Sequence, residues 1–155
     1  PFGEEQRITW WDAVDYIGVM AYYPLTNKNN PTVEELKAAW AERGWLTLLE
    51  NLSNKYQRRI IFSEIGWEPK DGANKQPLTD KIDLPLDFQE QADCYQAAFE
   101  VLLGKPWLKG IFWWLWYANP FWPPPGEFQD KSGTPQGKPA EEVVKKFYLA
   151  DDKPK

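Results

Sequence analysis

The sequence predicts an α/β fold built on a parallel sheet. Three runs, Tyr16 to Tyr23, Ile60 to Gly66 and Gly110 to Trp116, are almost continuously apolar over a strand's length. That is the pattern of parallel strands buried on both faces. Stretches with helical spacing of apolar residues lie between and after these runs, and no two-residue hairpin turn joins one run to the next. The order strand, helix, strand, helix, strand, helix describes successive right-handed βαβ units.

Each element carries its own signals. Ile8 to Val14 reads as the end of a helix, and a strand follows from Asp15 to Tyr23. Pro24 and the polar run Thr26 to Asn30 make a loop. Thr32 with Glu35 three residues later forms a capping box that opens a helix carrying Leu36 and Trp40 on one face. Gly44 breaks or kinks that helix, after which Trp45, Leu48, Leu49, Leu52 and Tyr56 recur at helical spacing. Arg58 and Arg59 precede the second strand, and a long loop runs from Trp67 to about Leu86. Asp87 and Glu90 cap a third helix with the stripe Tyr95, Ala98, Phe99, Leu102 and Leu103, stopped by Gly104 and Pro106. The third strand leads into a Pro- and aromatic-rich loop from Asn119 to about Lys138. Pro139 starts a last helix bearing Val143, Val144, Phe147 and Tyr148, and a charged tail begins at Asp151.

The bulk composition narrows the chemistry. The 155 residues include no His and one cysteine, Cys94. Ser-His-Asp and Cys-His catalysis, His-ligated zinc and an internal disulfide are therefore excluded within this chain. Cys94 sits in a helical run and reads as packed, not reactive. Acid–base chemistry falls to carboxylates, Tyr or Lys. Net charge is −5 with no basic stripe, so nucleic acid is not an expected partner. No apolar run reaches membrane-spanning length. The chain starts at Pro1 without an initiator Met, so its true beginning is expected upstream, and an extracellular or a cytoplasmic location stays open. Ten Trp and seven Tyr exceed what core filling usually needs. Flat apolar faces rimmed by polar groups suit sugar rings, although a Trp-rich core is the alternative for any single Trp.

One carboxylate stands out. Glu64 lies near the end of a strand otherwise made of Ile, Phe, Ile and Gly, where a charge is costly unless paired, hydrogen-bonded or exposed at the sheet edge. An ion pair with a neighbouring cation is one reading. Active sites of α/β enzymes cluster at the C-terminal edge of the sheet, and the two long loops both follow strands. There Tyr22 and Tyr23 end the preceding strand and Trp114 and Trp116 end the following one. A carboxylate between Tyr hydroxyls and a Trp platform suits attack on an anomeric carbon.

The run Tyr16 to Leu25, then Phe62-Ser63-Glu64-Ile65-Gly66-Trp67, resembles glycoside hydrolase family 113 and its close relatives. Glu90 to Tyr95, Gly110 to Trp116 and Thr134 to Glu141 extend the likeness, in order, over nearly the whole chain. The family's members are retaining β-mannanases on (β/α)8 barrels, with the acid/base after strand four and the nucleophile after strand seven. The resemblance implies that residues 1–150 are the C-terminal part of one such TIM barrel, strands six to eight with their helices, and that 151–155 are a tail. Glu64 is then the nucleophile, and one of Tyr22 or Tyr23 hydrogen-bonds it. Trp114, favoured over Trp116, floors the subsite of the cleaved sugar. Trp67 lies near the mouth, or packs beneath the long loop. The implied substrate is a β-linked glycan, most closely β-1,4-mannan, and no metal or organic cofactor is implied.

The sequence also departs from that pattern. The family's acid/base Glu belongs to the half of the barrel that this chain does not contain. No second strand-end carboxylate replaces it: Glu68 belongs to a loop, and Asp130 reads as structural. The chain alone is expected to be inactive and to need the missing N-terminal half as its partner. Two other readings stand beside this one. One is a carbohydrate-binding or degenerate barrel relative without hydrolysis. The other is a small flavodoxin-like domain, against which the lack of a Gly-rich phosphate loop after any strand counts.

Overall fold

The computed structural model describes residues 3–77, 84–119 and 131–150. Three strands, β1 (Tyr16–Met20), β2 (Arg59–Ile65) and β3 (Leu108–Trp113), form a parallel sheet in the order β1-β2-β3. Helices α1 (Val33–Glu42) and α2 (Trp45–Tyr56) connect β1 to β2, α3 (Phe88–Leu102) connects β2 to β3, and α4 (Pro139–Leu149) follows.

The helix boundaries follow from local chemistry. Thr32 Oγ1 accepts from the Glu35 amide and Glu35 returns a bond to the Thr32 amide, so both orphan donors at the start of α1 are satisfied. Gly44 adopts φ +78°, which permits the sharp turn that divides α1 from α2. Asp87 caps α3 through the Glu90 amide, and Pro139 occupies the first turn of α4. Glu90 itself does not complete a capping box at Asp87; its carboxylate serves the neighbouring loop. The expected helix ending at Val14 is replaced by a single 3-10 turn, Trp11–Ala13. Leu103, expected in the α3 stripe, lies past the helix end and is exposed.

The core lies between the helices and one face of the sheet. Ile17, Val19, Ile60, Phe62 and Ile65 are buried there with Leu36, Trp40, Tyr95 and Phe99. The other face is open: Tyr16 and Met20 of β1 and Phe112 of β3 are exposed. The expectation of strands buried on both faces therefore holds for one face in this chain. The continuous apolar runs are real, but half of their side chains face outward.

A change of register in β2 decides where its carboxylate points. Phe62 and Ile65, three residues apart, are both buried on the helix side, and the pairing shifts between them. Ser63 and Glu64 thus share a place that strict alternation would give to one residue. On the other side Met20 pairs with Glu64 after a matching shift. The irregularity turns Glu64 to the open face at the C-terminal end of the sheet.

Candidate active site

Glu64 is partly exposed and lines a cleft of about 460 Å³ with Tyr22, Gly66, Trp67, Glu68, Pro77, Trp114, Leu115, Ser132 and Gly133. These residues come from the ends of all three strands and from the loops after them. Backbone bonds fix the strand ends: the Ala21 amide donates to Glu64 O at 2.7 Å, and the Trp114 amide donates to Ile65 O at 2.8 Å.

The Tyr22 hydroxyl donates to Glu64 Oε2 at 3.1 Å. Burial, then the hydrogen bond to Glu64 and its negative charge, push the Tyr22 phenol well above its ordinary value. It stays a donor, which is what a neighbouring carboxylate requires. Tyr23 goes the other way. It is fully buried, stacks on Trp45 and donates to Glu5 Oε1 at 2.8 Å. Its expected place on the sugar-binding rim is corrected: Tyr22 reaches Glu64, and Tyr23 is a core residue tied to a buried carboxylate.

The three tryptophans separate in the same manner. Trp114 is 52% exposed and lines the cleft beside Glu64. It follows the last residue of β3, and the Trp114–Leu115 peptide is cis. Trp116 is 51% exposed but is not among the residues lining that cleft. Trp67 touches the cleft yet is only 1% exposed, packed edge-on against Tyr95, so a ligand could reach very little of its ring. Its ring packs into the core on Tyr95 while the residue still borders the cleft. Trp113 points to the helix side and stacks on Tyr95.

Several residues that shape the cleft were not singled out for that role from sequence. A Cβ on Gly66 would lie 2.0 Å from the Trp114 carbonyl oxygen, so only glycine allows this approach of β2 to the residue after β3. Gln91, wholly buried on α3, donates through Nε2 to Trp67 O at 2.8 Å and to Gly133 O at 3.4 Å, joining the two loops that wall the cleft. The buried Glu90 carboxylate accepts from the amides of Gly72 and Asn74 and from Asn74 Nδ2. Asn74 in turn accepts from Thr26 N and Oγ1, binding the loop after β1 to the loop after β2. Gln136 pairs both ways with the backbone of Tyr117, closing the foot of the loop after β3. Glu68 lines the cleft and forms an ion pair with the buried Lys70. Asp130, expected to be structural, lies outside the described residues.

Among the described residues no cluster of three or more His, Cys, Asp or Glu side chains could hold a metal ion, and no helix is long and apolar enough to cross a membrane. Cys94 is buried, and burial raises its thiol well above the ordinary range, in keeping with a packing role.

The family model of Glycoside Hydrolase Family 113 matches residues 2–132. The chain belongs to glycoside hydrolase family 113. Solved structures of family 113 proteins superpose on it. The β-mannanase AaManA from Alicyclobacillus acidocaldarius, in complex with ManMIm, does so with a TM-score of 0.75 at 28% identity. A GH113 β-1,4-mannanase structure gives 0.73 at 26%, and a complex structure of a GH113 β-1,4-mannanase gives 0.73 at 25%. In each case the match covers 96% of this chain and 43% of the other. This family 113 chain therefore spans less than half the length of those relatives, and its α/β unit corresponds to part of their fold. No curated protein matches the sequence.

Proposed function

We propose that this chain supplies strands six to eight, and the nucleophile, of a retaining family 113 glycosidase that cleaves β-1,4-mannan by double displacement. The observation that carries the reading is the position of Glu64. Its carboxylate lies in a cleft at the C-terminal end of the sheet, bonded by the Tyr22 hydroxyl and beside a half-exposed Trp114. Residues 1–150 form one continuous part of the barrel in this reading, and β1, β2 and β3 take the places of strands six, seven and eight.

The chemistry follows from that arrangement. Glu64 attacks the anomeric carbon as the leaving oxygen takes a proton, and a covalent glycosyl-enzyme forms. Tyr22 aims the carboxylate, and Trp114 floors the sugar ring whose bond breaks. Trp116, exposed but not lining the cleft, is kept as a contact for a longer glycan chain. Water then releases the sugar with retention of configuration. Both steps need a second carboxyl group about 5 Å from the first across the bond. Glu68 belongs to the loop after β2, four residues from Glu64, and its Oε2 is taken by Lys70. The acid/base therefore comes from the other part of the barrel, and the fragment by itself is inactive. The partners are a carbohydrate substrate and that remaining barrel; the reaction itself calls for no cofactor.

The test is a Glu64→Gln substitution in the complete protein, incubated with β-mannan and with other β-glucans. Turnover should fall by at least a thousandfold, on the order of 4 kcal/mol of barrier, while oligosaccharide binding persists. Near wild-type turnover in that variant removes Glu64 from the reaction. Binding without cleavage by the unmodified protein favours a sugar-binding barrel that has lost hydrolysis.

A further inference from the structure

The cleft contains a second carboxylate that the double displacement does not use. Glu68 stands on its wall with Glu64 and Trp114. Its side chain is 42% exposed, whereas the Lys70 side chain paired with it is 6% exposed. Glu68 is thus the accessible, cleft-lining member of the pair and Lys70 the buried one. Oε2 takes the Lys70 bond, and among the described residues Oε1 has no hydrogen-bond partner.

The segment that carries this pair is tightly held. Lys70 bridges backbone-to-backbone with Leu86, and the Asp87 amide donates to Pro69 O at 3.0 Å. Glu90 secures Gly72 and Asn74 just beyond, and Gln91 secures Trp67 just before. A carboxylate fixed at both flanks and braced by a buried cation offers an acceptor at a set position, which is the requirement for reading a hydroxyl. The adjacent ammonium offsets the negative charge and so disfavours a metal cation at the same oxygen. It leaves neutral donors, the hydroxyls of a sugar ring, as the ligand that fits.

We propose that Glu68, braced by Lys70, is a specificity-determining residue that accepts a hydrogen bond from a pyranose hydroxyl of the bound glycan. The inference rests on the glycosidase reading for the identity of the ligand. Glu68 acts on binding and takes no part in bond cleavage. Its pairing with Lys70 makes it a neutralised wall residue in place of a competing charge beside Glu64.

The test uses the complete protein and a β-1,4-linked manno-oligosaccharide. Glu68→Gln keeps the size and an oxygen facing Lys70 but weakens the acceptor. Dissociation constants are measured by calorimetry in a Glu64→Gln background, and KM and kcat in the otherwise wild-type enzyme. A charge-assisted hydrogen bond predicts at least a tenfold rise in Kd and KM, with kcat changed less than threefold and the thermal midpoint retained. Glu68→Asp, which shortens the arm and keeps the charge, should recover affinity only in part. Unchanged Kd and KM in Glu68→Gln, with an active wild-type enzyme, overturn the assignment and leave the glycosidase reading intact. A wild-type protein that neither binds nor cleaves any β-linked glycan overturns the glycosidase reading itself. Equal losses of affinity and of thermal midpoint in both Glu68 variants overturn the assignment in favour of a purely structural ion pair.

Discussion

Tyr22 and Tyr23 are neighbours in sequence with opposite destinations, and the difference comes from partners far along the chain. Tyr22 meets Glu64, and Tyr23 meets Glu5 and Trp45. Sequence alone placed a Tyr beside Glu64 but left two candidates, because the turn of the chain after Met20 has no local signature. Glu64 was legible because a charge inside an apolar strand needs an explanation, and Trp114 because it follows the next strand. Trp67 was not, since its burial depends on the distant Tyr95. Replacing Tyr22 with Phe removes one hydrogen bond to a carboxylate. Turnover should fall roughly tenfold or more, by about 1.5–3 kcal/mol, with the fold retained. A Tyr22→Phe enzyme with unaltered kcat/KM would show that Glu64 needs no such support. Burial also raises the phenols of Tyr22, Tyr23 and Tyr95. The unfolded chain releases those protons near pH 10 while the native state keeps them, so the native state binds more protons at alkaline pH. Stability is then complete below about pH 10 and is lost as pH rises above it, by about 1.4 kcal/mol per pH unit for each fully buried phenol. Urea midpoints between pH 8 and pH 11 measure this, and a flat profile contradicts it.

Helix ends were the most readable elements, because each depends on neighbours a few residues away. Thr32 with Glu35, Gly44, Asp87 and Pro139 all act where the sequence places them. Strand ends were less readable: β1 stops at Met20 and β3 at Trp113, short of the apolar runs, because pairing across the sheet sets their length. The loop network was invisible in the sequence. Nothing near Glu90 or Gln91 announces that one grips the backbone around Asn74 and the other the backbone of Trp67. Gly66 shows how closely these elements meet. Gly66→Ala should cost on the order of 3 kcal/mol by forcing β2 away from the Trp114 carbonyl. It should also depress activity more than the stability loss explains, because Glu64 and Trp114 lie on the two parts pushed apart. Denaturant melts alongside kinetics below the melting range test both, and a silent Gly66→Ala shows that the strand ends yield freely.

For the whole molecule, the sheet has helices on one face and open apolar side chains on the other. Tyr16 and Met20 lie outward from β1 and Phe112 from β3. Sequence gave the parallel α/β order correctly, because the periodicity of each run is local. It did not give one-sided burial, since an apolar run reads alike whether or not a neighbour covers its second face. Exposed apolar side chains gathered on one face favour association or dye binding. This 155-residue chain, expressed alone, should show no measurable β-mannan hydrolysis and should bind a hydrophobic dye in its native state. Hydrolysis by the isolated chain would place the whole reaction within the described cleft.

The doubled position at Ser63 and Glu64 bears on how related sequences are compared. Strict alternation through β2 with no residue removed would send the Glu64 carboxylate into the helix-side packing and turn Ile65 toward the open face. A one-residue gap here instead leaves a single outward residue between the buried Phe62 and Ile65, so it decides whether that residue is the serine or the carboxylate.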